Sequence, residues 1–456
     1  MTRIFIISLL MVSSLTVKAQ EKAWTVDECI EYAVTHNHDV RLQRMQLDDY
    51  RTDKQRAVGA FLPSVEASVG GQFNFGRAID PETNTYTNVN TFYNNYGVSA
   101  SLPLFDGFQR YNALRSAQAN VLMGRQGLVA QKDRVAQQVL KAYLDVLYYT
   151  TALEFVKRKR EESAMLLHQT KMMVEVGTKG EADVAQMEAT FAADDYEVTR
   201  QQGLLRGALL HLKQQMNYPA EEALDIATEA QNCVLPSGRG ADALPCEELM
   251  PSIRQAEYQL QSARYAYRSS KGALLPSISV GAGVSTTYFK QMGVASSQTF
   301  ANQFRNNAGE YVYATLSIPL FNRMSTISSI RRHRNNVERA RENLDNERQV
   351  LRRLIQETTI DQQNSWMEMQ KMKEKVEADS MAAQFTIRKY QEGISSSIDV
   401  QTATVTLLQS KAQLLQCQLS YLYETRMLDY YKGIPLWTES SKRRTDGGRS
   451  TYLIYY

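Results

Sequence analysis

Gly59-Ala60-Phe61-Leu62-Pro63-Ser64 returns as Gly272-Ala273-Leu274-Leu275-Pro276-Ser277, with Pro276 standing 213 residues after Pro63. Leu102-Pro103-Leu104-Phe105-Asp106-Gly107 returns 216 residues later as Ile318-Pro319-Leu320-Phe321-Asn322-Arg323. Val176-Gly177 and Asp183-Val184 return, again 216 residues on, as Glu392-Gly393 and Asp399-Val400. Landmarks that recur in order at one period mean that a single unit is written twice. The offset changes by three residues between the first and second landmarks, as a surface loop tolerates, and then holds for about 70 residues. One inserted residue in a packed helix would turn everything beyond it by about 100°, so a constant offset marks a helix packed along its length.

Directly after Pro63 the chain alternates. Val65, Ala67, Val69, Gly71, Phe73 and Phe75 fall on one side, and Glu66, Ser68, Gly70, Gln72 and Asn74 on the other. This is a strand with one apolar and one polar face. Its repeat mate sets Ile278, Val280, Ala282, Val284 and Tyr288 against Ser277, Ser279, Gly281, Gly283 and Ser285. A second strand precedes each Pro-Leu-Phe, with Tyr96, Val98, Ala100 and Leu102 apolar in the first copy and Val312, Ala314, Leu316 and Ile318 in the second. Each copy therefore holds a β-hairpin, 64–104 and 277–320, with polar loops near 77–91 and 290–307 flanked by aromatic residues. Strands of about 10 residues, apolar outside and polar inside, are the pattern of a transmembrane barrel. Four strands do not close one, and an open edge in lipid leaves amides unpaired, so other copies of the chain must complete it. Pro63, Pro103, Pro276 and Pro319 mark the strand–helix junctions.

No proline lies between Gly107 and Gly177, and at about 1.5 Å per residue a continuous helix there would reach on the order of 100 Å. Its charges, among them Arg134, Lys141, Asp145 and Lys157, keep it in water. Val135, Val139, Ala142, Val146, Tyr149, Leu153 and Val156 repeat along it at coiled-coil spacing, as do Val400, Ala403, Leu407, Ser410, Leu414, Cys417 and Tyr421 after the Gly393 turn. Each copy reads as a shorter helix (25–60 and 247–273), a hairpin, a very long helix, a tight turn and a returning helix. The fold class is thus mainly α with a membrane β-barrel, built from a duplicated unit. The boundaries are a first repeat at 20–218 with its tip near 177–183, a linker at 219–245, a second repeat at 246–433 with its tip near 393–399, and a basic tail at 434–456 expected to be disordered.

Thr2 and Arg3, the apolar run 4–17 and Val17-Lys18-Ala19 read as a signal peptide, 1–19, with no cysteine at the cleavage point to take a lipid. Elsewhere no run of about 18 apolar residues occurs, and the mean hydropathy of −0.41 excludes a multispan helical membrane protein. Export makes the cysteines candidates for pairing. Cys233 and Cys246 lie close together in the linker and could close a short loop, worth roughly 3 kcal/mol if unstrained. Cys29 and Cys417 fall on apolar helix faces and are expected to be buried thiols.

Catalytic signatures are wanting: there is no His-Glu-x-x-His, no Gly-x-Ser-x-Gly and no phosphate loop. The chain is expected to be no enzyme and to need no cofactor. His36 and His38, two apart on a helix, face different ways and make no metal site. The run Arg331-Arg332-His333-Arg334 reads as a solvated helix face rather than a nucleic-acid patch, and the net charge of +3 favours no particular partner.

In the order and duplication of these Leu-Pro-Ser, Pro-Leu-Phe and glycine-turn landmarks, residues 25–433 resemble the TolC family of outer-membrane factors. The resemblance implies a homotrimer with a 12-stranded barrel in the outer membrane, continued by a helical barrel through the periplasm of a Gram-negative cell. It also implies a periplasmic adaptor protein and an inner-membrane pump as partners, and passage of cargo without chemistry, in efflux or type I secretion. By similarity the adaptor-facing tips are 174–184 and 390–400, with Gly177, Thr178, Lys179, Asp183, Gly393, Ile394 and Ser395. Asp399 is a candidate pore-constriction carboxylate. Where the best-known member has a second acid three residues on, this chain has Thr402, and Ser395 replaces a basic residue. The rival expectation is a non-transporting coiled-coil stalk or adhesin, which needs heptads but no duplicated hairpins.

Overall fold

In the computed structural model, which describes residues 23–79, 84–88, 90–227, 247–293 and 298–437, Thr25 starts the first helix. Its hydroxyl accepts from the Glu28 amide at 3.3 Å while the Glu28 carboxylate accepts from the Thr25 amide at 3.0 Å. This reciprocal cap satisfies two amides that a helix start leaves orphaned. Helix α1 (Val26–His36) buries Val26, Cys29, Ile30, Ala33 and Val34. The sequence pattern carries one helix from 25 to 60, but the structure breaks it at Asn37, which leaves the helix in extended geometry at φ −61°, ψ 139°. The Asn37 side chain donates to the Gln215 carbonyl at 2.8 Å and accepts from the Asp39 amide, which starts α2 (His38–Gly59). A tertiary partner for the side chain thus outweighs helix continuity.

The remaining elements are β1 (Ser64–Asn74), β2 (Arg77–Ile79), β3 (Tyr86–Asn88), β4 (Thr91–Phe105), α3 (Gln109–Glu175), α4 (Glu181–Met216), α5 (Pro251–Gly272), β5 (Ser277–Gln291), α6 (Phe300–Asn306), β6 (Gly309–Ser317), α7 (Ser325–Gln391) and α8 (Ser397–Tyr431). Helices α2 and α5 both have 22 residues, and α3 and α7 both have 67. The stretches read as polar loops hold the small β2–β3 ladder and α6, both too short to leave a periodic signal. The signal segment, Cys233, Cys246, most of the linker and the tail beyond Trp437 lie outside the described residues.

The chain falls into two compact units, one within Met1–Arg41, Gln131–Cys246 and Arg353–Tyr456, the other within Leu42–Ala130 and Glu247–Arg352. In the first, the α3 seam is buried at six of its seven expected positions: Val135, Val139 and Val146 are fully enclosed, with Ala142, Leu153 and Val156 beside them, whereas Tyr149 is half-buried. Trp24 bridges Ile226 in parallel, and the Tyr143 hydroxyl, at 3.0 Å from the Ala227 carbonyl, ties that bridge to α3. Beyond α8, the Trp437 indole donates to Asp133 at 2.7 Å and the Tyr430 hydroxyl to its other oxygen at 3.0 Å. Burial pushes the Asp133 carboxyl above the usual range despite those two donors. Cys29 is buried, with its thiol pushed up to about 12. Cys417 departs from expectation: it is half-buried and lies 3.9 Å from Glu368, because the buried residues of α8 in this stretch are Leu415 and Leu419.

The second unit holds an antiparallel sheet in the order β1-β4-β5-β6. Its two hairpins share one register: Ser64 opposite Ser101 becomes, in the second copy, Ser277 opposite Ser317. Between the copies β4 pairs β5, Ala100 facing Ala282. Among the described residues, β1 and β6 pair on one side only. Val65, Val69, Val312 and Leu316 stand exposed on the apolar face.

At the first strand-to-helix junction Gly107 and Phe108 both have left-handed backbone, at φ 67° and 65°, and Arg323 and Met324 repeat this at 55° and 67°. Gly107 and Gly272 approach so closely that a Cβ on either would run into the other's carbonyl. Arg110 fastens this corner, donating to the Ala60 carbonyl at 3.0 Å, the Pro103 carbonyl at 2.6 Å and the Asp106 carboxylate at 2.9 Å. Its repeat mate is Thr326, which cannot span those gaps. Replacing Arg110 with Met leaves two carbonyls without this donor and is expected to cost about 1–3 kcal/mol. The thermal midpoint of the strand circular-dichroism signal should fall, whereas Thr326→Val should barely move it. An unshifted midpoint for Arg110→Met would leave the clamp no role.

Candidate functional site at the helix turns

Two turns, one per repeat, carry the residues singled out by the sequence. Both long helices end in the same hydrogen-bond pattern. The Gly177 amide donates to Val174 at 2.9 Å and the Thr178 amide to Met173 at 2.9 Å. Gly393 donates to Tyr390 at 3.0 Å and Ile394 to Lys389 at 2.9 Å. Each is a Schellman closure, and each glycine sits at φ 79°, a conformation that a Cβ disfavours.

The returning helices start on carboxylates. Ser396 caps α8, its hydroxyl accepting from the Asp399 amide at 3.2 Å. The Asp399 carboxylate accepts from the Ser396 hydroxyl at 2.7 Å, the Ser396 amide at 3.0 Å and the Ser395 hydroxyl at 3.0 Å. These donors, Ser396 foremost, hold its carboxyl below the usual range. Asp183 occupies the same place on α4, with a longer bond of 3.4 Å from the Gly180 amide.

The structure brings the turns together through Lys179, whose ammonium donates to the Ser395 carbonyl at 3.2 Å and lies 4.6 Å from the centre of the Tyr390 ring. Tyr390 is fully buried in a cluster with Leu166, Met187 and Val400. Its hydroxyl lies 2.8 Å from Thr170 Oγ1. The single Thr170 hydroxyl proton goes to the Leu166 carbonyl, so Tyr390 is the donor, and burial holds its phenol above the usual range. Deeper between the helices, the half-buried Lys159 pairs with the buried Asp194 at 2.7 Å, with Asp194 Oδ2 unpartnered beside a cavity of about 20 Å³, roughly the room for one water. At the outer side Val176, Ile394 and Ile398 are 78%, 72% and 61% exposed.

Of the sequence candidates, Lys179 and Ser395 touch, Asp399 binds Ser395, and Gly177, Thr178, Gly393 and Ile394 close the helices. Pro63 and Pro276 immediately precede β1 and β5, Pro103 sits at an irregularity of β4, and Pro319 follows β6. Thr170 with Tyr390 carries no sequence signal, because the two residues are 220 positions apart.

A depressed folded pKa means that the Asp399 cap stabilises fully above the unfolded value near 3.8 and is lost as pH falls through the lower folded value. Hydrogen exchange of a peptide spanning 394–405, corrected for intrinsic rates, should therefore show an acid step below that pH. Asp399→Asn should abolish the step and lower protection at neutral pH. A wild-type profile without the step would remove the cap from the account.

The sequence model of the family described as Outer membrane efflux protein matches residues 29–217 and 247–431. The outer membrane efflux protein BepC of Brucella suis is 22% identical over 366 residues, which are 79% of this chain and 75% of that protein. The probable efflux pump outer membrane protein TtgC of Pseudomonas putida is 22% identical over 444 residues, 92% of this chain and 86% of that one. Among solved structures, CusC superposes with a TM-score of 0.76 at 16% identity, covering 89% of this chain and 91% of its own. The Campylobacter jejuni CmeC outer membrane channel superposes at 0.74 and 15% identity, covering 92% and 88%. At such identities the superpositions speak for the fold.

Proposed function

The chain belongs to the outer membrane efflux protein family, and on that premise we propose that three copies form the exit duct of an efflux or type I secretion system, docked to a periplasmic adaptor and an inner-membrane pump. The observation that carries this reading is the sheet: four strands, an exposed apolar face, and two outer strands, β1 and β6, each with one unpaired side. In hydrocarbon each unpaired amide or carbonyl costs several kcal/mol, so the edges require partners. The repeat supplies them. Moving the β4–β5 pairing one unit along the chain sets β6 against β1 of the next copy, with Leu316 opposite Val69 and Val312 opposite Phe73. Three such chains close twelve strands into a ring.

The work of such a protein is done by its walls. The exposed Val176, Ile394 and Ile398 suit an adaptor, and one Asp399 per copy supports a ring of three carboxylates that attracts cations at the mouth. A non-transporting stalk makes no use of the apolar strand face.

Two experiments test the assembly and the tip. With the native cysteines replaced by Ser, Val69→Cys with Leu316→Cys should oxidise to covalent species of two and three chains. Crosslinks confined to single chains would overturn the ring. Gly177→Val or Gly393→Val forces a β-branched residue into left-handed backbone. Either should leave the strands inserted while export and adaptor crosslinking fall several-fold; if both persist unchanged, the tip does not dock the adaptor.

A further inference from the structure

Strand β6 is short. Its pairing with β5 stops at Gly309 opposite Ser285, while β5 runs on to Gln291, so among the described residues no fourth strand lies beside the last residues of β5. Helix α6 takes that place. The Gln303 side chain donates to the Phe289 carbonyl at 3.1 Å and accepts from the Phe289 amide at 2.9 Å, as a neighbouring strand would. Thr286 Oγ1 donates to the Phe304 carbonyl at 2.7 Å, and the Asn307 amide group to the Thr287 carbonyl at 2.8 Å.

The helix lies on the apolar face. Tyr96 and Thr286 are cross-strand partners there, and Tyr288 follows on the same face. The Phe300 ring lies 5.1 Å from Tyr288, and the Phe304 ring 5.3 Å from Tyr96. Further along, Phe73 and Phe92 pair at 4.6 Å on β1 and β4. An aromatic row therefore crosses β1, β4 and β5, and α6 continues it where β6 ends. Phe300 and Phe304 remain 47% and 41% exposed at their outer edges. Lys290, on the same face opposite Phe92, and Arg305 are exposed, against the acid Glu310 at the start of β6.

We propose that α6 is a seat on the outer leaflet of the membrane: Phe300 and Phe304 lie at the hydrocarbon boundary, and Arg305 and Lys290 reach the phosphates of the lipid headgroups. This rests on the reading that the apolar strand face meets lipid. The row is continuous with that face, it has the composition of an interfacial belt, and its cations complement an anionic headgroup layer. Amphipathic helices of this kind settle roughly 5–10 Å into the boundary between headgroups and chains.

The full chain, with Trp24, Trp366 and Trp437 changed to Phe, would be reconstituted in phosphatidylcholine vesicles brominated either near the top or near the middle of the acyl chains. Single tryptophans at Phe300→Trp and, separately, Phe304→Trp should be quenched about twofold more by shallow than by deep bromines. Val284→Trp, lower on the apolar face of β5, should show the reverse preference. If Val284→Trp is quenched but both α6 tryptophans respond only to aqueous iodide, the seat is overturned and the duct stands. If Val284→Trp also escapes lipid quenching, the membrane face itself is misplaced, and the seat falls with it.

Discussion

A peptide group in hydrocarbon has no water to bond, and the whole architecture answers to that constraint. Among the described residues of one chain, β4 is paired on both sides and β5 as far as Ser285, whereas β1 and β6 each keep a bare side. A soluble sheet can blunt such an edge with charge or a bulge, but a sheet in lipid has only closure. Because the two hairpins keep one register, the joint inside the chain is a template for the proposed joint between chains, which then needs no separate interface. Gln303 obeys the same rule on a small scale, supplying a donor and an acceptor to Phe289 where the next strand stops short.

The repeats diverge where their surroundings do. The first junction is sealed by Arg110 and by the contact of Gly107 with Gly272, while the second has Thr326 and Arg323 in those places. The turns follow the same logic. Both end in glycine, yet Asp399 is gripped by three donors and Asp183 by one long bond. Identical backbone solutions persist because helix ends impose them; the side chains around them are free to take different work.

Much of this was legible in the sequence because it is local or periodic. The 213- and 216-residue offsets located every long element, the alternation after Pro63 located β1 and its faces, and Gly177 and Gly393 located the turns. What escaped is long-range or short. Asn37 breaks its helix for a carbonyl 178 positions away, Thr170 meets Tyr390 across 220, and Asp133 meets Trp437 across 304. Helix α6 has seven residues, too few for a period to declare itself. Cys417 shows the limit of a heptad pattern, since the buried positions nearby on α8 are 415 and 419 rather than 414 and 417.

The equal lengths of α3 and α7, 67 residues each, bear on how such a chain can evolve. A codon gained in a loop concerns that loop alone. A codon gained in α3 displaces its turn relative to the turn after α7, and the contact of Lys179 with Ser395 is lost unless α4, α7 and α8 lengthen in the same generation. Unless a π-bulge absorbs the added residue, such coordinated change lies far from any single mutational step, so insertions are expected to collect in loops while the long helices change by substitution.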